Sequence, residues 1–171
     1  ASSGNEFEIN QYSYANDFSV SSQSGDPKGV VFNPTGTTMI IVDDDDNALY
    51  QYTLSTGFAL SSASYASKSF SVSSQVSSAS SMAINSDGTQ IFINDYSGET
   101  VFEYELTTGF DISTMSYTNR SYAMSGQMST SRHLFLLPDD ESFISGENAS
   151  SMIYEYSYSS SSVPSGYHAA H

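Results

Sequence analysis

An all-β fold of three repeated units, each of four antiparallel strands, is predicted from three observations. The chain repeats with a period of 52 residues: Phe18, Phe70 and Tyr122 fall in register, as do Gln23, Gln75 and Gln127, and Tyr52, Tyr104 and Tyr156. Such a fixed period marks a repeat architecture. Within each unit, short apolar runs alternate with turn residues at strand-like spacing. No stretch carries sustained helical periodicity.

Each unit opens with a short apolar run: Val30 to Phe32, Met82 to Ile84 and Leu134 to Leu136. A turn signal follows, Asn-Pro-Thr-Gly, Asn-Ser-Asp-Gly or Pro-Asp-Asp. Gly36 and Gly88 suit the positive φ of a tight hairpin, whereas the third unit has Asp140 there. The second strand is Met39 to Val42, Ile91 to Asn94 or Phe143 to Ser145, closed by an acidic or small-residue turn. The third strand carries Tyr50 and Tyr52, Phe102 and Tyr104, or Tyr154 and Tyr156, a spacing that puts both rings on one face. Leu49, Val101 and Ile153 then point to the opposite face. The fourth strand is the polar Ser-Tyr-x-x-x-x-Phe segment.

A strand that is apolar on both faces belongs to a sheet lying between two similar sheets, which is how a propeller blade packs. The stretches "FNPTGTTMIIVDD" and "INSDGTQIFIND", followed by "YQYTLSTGF" and "FEYELTTGF", resemble the repeats of YVTN and lactonase-like β-propeller proteins. The resemblance runs through residue 156 and implies blade packing. It also implies that the turns after the second strands gather on one face, where metal-dependent members of the lactonase-like group place their ligands. A β-trefoil, which also has three repeats of four strands, is the structural alternative. Against it stand the long period and the absence of Trp.

Residues 1–156 are read as one domain, with repeats at about 24–75, 76–127 and 128–156. Residues 157–171 read as a Ser-rich flexible tail. Residues 7–23 read as a fourth strand without its first three, while the third repeat ends without a fourth. The expectation is strand exchange between subunits: Phe7, Ile9, Tyr12, Tyr14 and Phe18 hold the N-terminal segment in the last blade of a neighbouring copy. Such exchange closes into a ring or runs on as a filament.

Charge narrows the partners. Four Lys and Arg stand against nineteen Asp and Glu, a net charge of −15, so nucleic acid and anionic membranes are disfavoured. No run is apolar enough to insert into a bilayer as a helix. The absence of Cys excludes disulfides and thiolate chemistry. A start at Ala1 without Met reads as a mature end after loss of a leader. The 38 Ser, with sequons at Asn119 and Asn148, suit an extracellular glycoprotein.

Asp43, Asp45 and Asn47 alternate as oxygen ligands do at the start of a calcium loop, and an acid recurs at Asp95 and Glu147. These five form the candidate set for calcium or another hard cation, with hydrated, self-capping turns as the competing reading. No Gly-x-Ser-x-Gly, phosphate loop or His-Asp pairing is legible, and His133 reads as a half-buried strand residue. Tyr65, Tyr96 and Tyr117 are the aromatic candidates for stacking on sugar, with Tyr96 the freest. The resulting expectation is a non-enzymatic, self-assembling extracellular module of structural or adhesive role. A glycan- or calcium-dependent carbohydrate-binding protein is the alternative.

Overall fold

A computed structural model describes residues 13–138, 142–147 and 151–157. Within these residues, eleven strands form three separate antiparallel sheets. The first blade is β1 (Pro27–Phe32), β2 (Thr38–Asp43), β3 (Ala48–Leu54) and β4 (Ala63–Ser71), hydrogen-bonded in that order. The second is β5 (Ala79–Ile84), β6 (Gln90–Asp95), β7 (Thr100–Leu106) and β8 (Met115–Ala123). The third has β9 (Ser131–Leu136), β10 (Ser142–Glu147) and β11 (Ile153–Ser157). Only two one-turn 3-10 helices, Leu60–Ser62 and Ile112–Thr114, interrupt the strands of the described residues. Three separate sheets that pack face to face are blades, so the trefoil alternative does not hold.

The period extends to the backbone. Val42 pairs with Leu49 in the first blade as Asn94 pairs with Val101 in the second and Gly146 with Ile153 in the third. Asn47, Glu99 and Ser151 occupy the same turn with φ of 47°, 47° and 57°. Ser67 and Asn119, at φ 57° and 61°, sit in matching bulges where β4 and β8 shift register against β3 and β7.

Gly36 and Gly88 sit in the β1–β2 and β5–β6 hairpins at φ 70° and 75°. Each also lies under an aromatic ring, Phe58 or Phe110, leaving no room for a Cβ. The N–H of that aromatic residue donates to the glycine carbonyl at 3.0 Å in both blades. The recurring Thr-Gly-Phe tripeptide therefore ties the link between the third and fourth strands to the hairpin. Gly88→Ala is expected to cost roughly 1–3 kcal/mol, since both backbone angle and ring contact are violated. Thermal melts check this, with Gly126→Ala as the neutral control because nothing lies within 4 Å of its added Cβ.

The core lies between blades. Ile40, Val42 and Leu49 on one face of the first blade pack with Met82, Ile91, Ile93 and Tyr104 of the second. Ala83 and Val101, with Phe92, on the far face of the second blade pack with Leu134, Leu136, Phe143 and Tyr156 of the third. Two buried polar contacts cross the same seams: the Ile112 N–H donates to Gln51 Oε1 at 3.0 Å, and Asn94 Nδ2 donates to the Ser131 carbonyl at 3.1 Å. These fix the angle between blades as well as their separation.

Candidate functional site

The acids that recur every 52 residues perform one job in all three blades. Asp43 is fully buried. One of its oxygens accepts from the Ser24 hydroxyl and, at 2.8 Å, from the Asp26 N–H; the other accepts from the Asp46 N–H at 2.8 Å. Asp95 accepts from the N–H of Ser78 at 2.9 Å and from the hydroxyl of Ser77 at 3.2 Å. Glu147 accepts from Ser129, backbone at 2.6 Å and hydroxyl at 2.9 Å. Each acid thus pins the loop that enters its own blade. Burial alone would raise the pKa of Asp43, but donation from Ser24 and from the backbone N–H groups of Asp46, Asp26 and Asp45 carries it below the ordinary carboxylate value.

Asn47 holds two blades together: its side chain accepts from the Ala79 N–H at 3.0 Å and donates to the Ser77 carbonyl at 3.3 Å. Asp45 lies with its carboxylate against Gly25. The five cation candidates therefore sit on the turns of three different blades and do not converge. Among the described residues, no group of three or more His, Asp or Glu side chains is arranged to hold a metal ion.

The tyrosines proposed for sugar stacking are engaged within the fold. Tyr65 packs on Tyr50 and Tyr52, and Tyr117 on Phe102 and Tyr104. Burial and a 3.0 Å hydrogen bond to Asp46 push the Tyr50 phenol up to about 12. Tyr96, expected to be free, carries the Arg132 guanidinium over its ring at 4.8 Å, because β9 brings that arginine beside the β6–β7 turn. His133 is exposed on β9, not half-buried, since its side chain falls on the outer face of the last blade. Asn119 is exposed on β8; Asn148, His168 and His171 lie outside the described residues, as do Phe7, Ile9 and Tyr12.

The assembly segment is placed differently from expectation in one respect. Phe18, expected to hold the donated segment in a neighbour, packs edge-on against Tyr52 of its own first blade at 5.5 Å. The reason is visible in the next repeat, where Phe70 at the end of β4 turns toward the following blade and meets Tyr104 at 6.0 Å. Tyr122 meets Tyr156 at 5.3 Å in the same way. The matching glutamines follow: Tyr52 donates to Gln23 Oε1 at 3.4 Å and Tyr104 to Gln75 Oε1 at 3.2 Å. Residues 18–23 thus sit on the first blade as residues 70–75 sit on the second. Residues 13–20 pair with no strand among the described residues, and Tyr14 is 79% exposed.

At the other end, β11 has no fourth strand beside it among the described residues. The Tyr156 hydroxyl is buried there without a hydrogen-bond partner among the described residues. Its fold-mates Tyr52 and Tyr104 each have a fourth-strand ring against them, Tyr65 at 5.6 Å and Tyr117 at 5.4 Å. Both end faces of the stack carry apolar side chains. The first blade presents a groove of about 240 Å³ lined by Val30, Phe32, Met39, Ile41 and Leu60 beside Phe18 and Val20. The third presents Phe135 and Ile153, 62% and 71% exposed. The assembly features were legible in the 52-residue register of Leu49, Val101 and Ile153, which places the last of these on the face where, among the described residues, no further blade packs.

Four-stranded, two-faced sheets stacked with a 52-residue period define a β-propeller type of repeat. The chain resembles solved propellers of the YVTN and lactonase-like kind. It is similar to a protein from Lactobacillus plantarum at 11% identity and a TM-score of 0.59, covering 78% of this chain and 38% of that one. A "putative 6-phosphogluconolactonase" from Bacteroides fragilis aligns at 9% identity and a TM-score of 0.60, over 78% of this chain and 35% of its own. Another protein so described, from Bacteroides uniformis, gives 10% identity and a TM-score of 0.57, over 80% and 38%. The chain therefore spans little more than a third of the length of these neighbours, and at such identities the likeness concerns fold alone. No protein-family model and no curated protein matches it.

Proposed function

We propose that the protein is an extracellular structural or adhesive module that assembles with copies of itself by donating its N-terminal segment as a fourth strand to β11 of a neighbour. The observation that carries this reading is the repeated seat of the segment: Phe18 and Gln23 occupy on the first blade the places that Phe70 and Gln75 occupy on the second. Residues held in that place leave β4, and by analogy the donated segment, bonded to the blade before. Backbone pairing supplies affinity in such strand addition, and side chains supply register. Ser13 and Tyr14 repeat the Ser64-Tyr65 and Ser116-Tyr117 pairs, one residue nearer their Phe. Donation sets Tyr14 on Tyr156, the one tyrosine of its set without a ring from a fourth strand of its own blade among the described residues.

The exposed sequon at Asn119 on β8 supports the extracellular and glycosylated part of the reading. Deleting residues 1–22 tests the whole. Sedimentation is expected to show ordered assemblies for the intact chain, and lone subunits or amorphous aggregate for the shortened one. Assembly unchanged by the deletion excludes strand donation.

A further inference from the structure

The blade-to-blade interface inside the chain is heterologous, and both of its halves recur at the two ends, where Val30 and Ile153 stand exposed. One half is made by Val31, Ile40 and Leu49 of the first blade, and again by Ala83, Phe92 and Val101 of the second. Adding 52 once more gives Phe135, Ile144 and Ile153 of the third blade. Leu49 is 0% and Val101 3% exposed, while Ile153 is 71% exposed, so the third copy of this surface is exposed at that position.

The other half is made by Met82, Ile84, Ile91 and Ile93 of the second blade and by Leu134, Leu136 and Phe143 of the third. Subtracting 52 gives Val30, Phe32, Met39 and Ile41, which line the groove, Met39 and Ile41 at its buried floor and Val30 at its exposed rim. Val30 is 55% exposed where Met82 is 7%. In the two internal seams an aromatic residue and its neighbour two positions on, Phe70 with Val72 and Tyr122 with Met124, cover one side of this surface. Phe18 and Val20 already stand there on the first blade. Among the described residues, no further sheet stands beside them.

We infer that the groove of the first blade receives the outer face of the third blade of a second copy, so that Phe135, Ile144 and Ile153 of one chain cover Val30, Phe32, Met39 and Ile41 of the next. This rests on the self-assembly reading and specifies its contact surface, which is separate from the donated strand. The occupant is a second copy because the surface that fits the groove is already used twice, in the same register, within the chain. An end face that matches the opposite end face produces head-to-tail growth: each copy covers one groove and offers another. Subunit contact and blade contact are then the same interface, with the subunit boundary falling at every third seam.

The test uses a neighbouring pair read from the internal seam. A Cβ on Gly29 would lie 3.5 Å from the backbone nitrogen of Met82. Moved along by two repeats, that pair becomes His133 of one copy and Val30 of the next. The native chain has no Cys. The doubly substituted chain, Val30→Cys with His133→Cys, is expected to give a ladder of disulfide-linked multimers on mild oxidation. A mixture of the two single variants is expected to stop at the cross-linked dimer, and each single variant alone at the monomer.

Ile153→Asp in the double-cysteine chain is expected to abolish the ladder without lowering the melting temperature of the isolated subunit, because that side chain is exposed there. A double variant that assembles without cross-linking, with the groove covered by residues 1–12 of its own chain or by another partner, overturns the inference. So does equal self-cross-linking of Val30→Cys alone, which signals a two-fold contact. Removing residues 1–22 from the cysteine chain separates the two claims. A ladder that survives undiminished keeps the face contact and removes strand donation, whereas normal assembly without a ladder in the full-length chain removes the face contact alone.

Discussion

Tyr104→Ala is expected to destabilise the fold by about 3–5 kcal/mol, the range for deleting a large ring from a packed core. Tyr104 has 0% exposure and sits at the seam of the first two blades. Phe70 meets its edge at 6.0 Å and Tyr117 leans on it at 5.4 Å, so truncation strands two further rings. Burial, with the neighbouring Tyr117, holds its phenol well above the ordinary value. Tyr104→Phe keeps the ring and removes only the hydrogen bond to Gln75 Oε1, a loss of about 0.5–1.5 kcal/mol. Denaturant titration of the pair separates packing from hydrogen bonding. A loss under 1 kcal/mol for Tyr104→Ala contradicts the seam described here.

The second large effect is expected at Asp43. Asp43→Asn retains shape and one acceptor oxygen, yet turns an NH2 group toward either the Asp46 N–H or the Ser24 and Asp26 donors. Leaving a buried donor unsatisfied costs about 1–3 kcal/mol, and at least one donor is affected in either orientation. The pH dependence has a definite sign. Because the folded pKa of Asp43 lies below its unfolded value, its contribution is fully present above the ordinary carboxylate range. It is lost as pH falls through that depressed folded value. The native chain is therefore expected to lose stability on acidification more steeply than Asp43→Asn, whose stability is lower at neutral pH but flatter into acid. Melting temperatures of both proteins across the acid range check this; parallel curves contradict the role assigned to the carboxylate.

The fold was legible because the 52-residue period aligns residues of like chemistry at like depth. Leu49 and Tyr50 alone, adjacent apolar residues in one strand, call for partners on both faces, and the sheet of the second blade on one side and Phe18 and Val20 of the N-terminal segment on the other supply them. The meaning of Asp43, Asp95 and Glu147 was less legible. Their spacing resembles that of ligands, but what they hold are N–H and hydroxyl groups of a loop 17 to 19 residues earlier, a contact made only once the blade has formed. Phe18 was misplaced for a related reason. Its ring meets Tyr52 of its own first blade, as the ring of Phe70 meets Tyr104 of the blade that follows it, and sequence similarity to Phe70 does not say which blade a side chain faces.

The exposed Phe135 and Ile153 follow from the same logic as the buried Leu49 and Val101, which is why the end of the stack looks like its middle. An apolar sheet face of this kind, next to an unpaired strand edge, favours association over solvation. The net charge of −15 opposes close approach of two copies, so the association is expected to strengthen as salt screens that repulsion.

Negative-stain micrographs of the intact chain at moderate ionic strength test most directly whether copies complete one another. Regular rings or fibres, with blades continuing across subunit boundaries, are the predicted image. A uniform field of single three-blade particles, unchanged on raising the protein concentration, contradicts it.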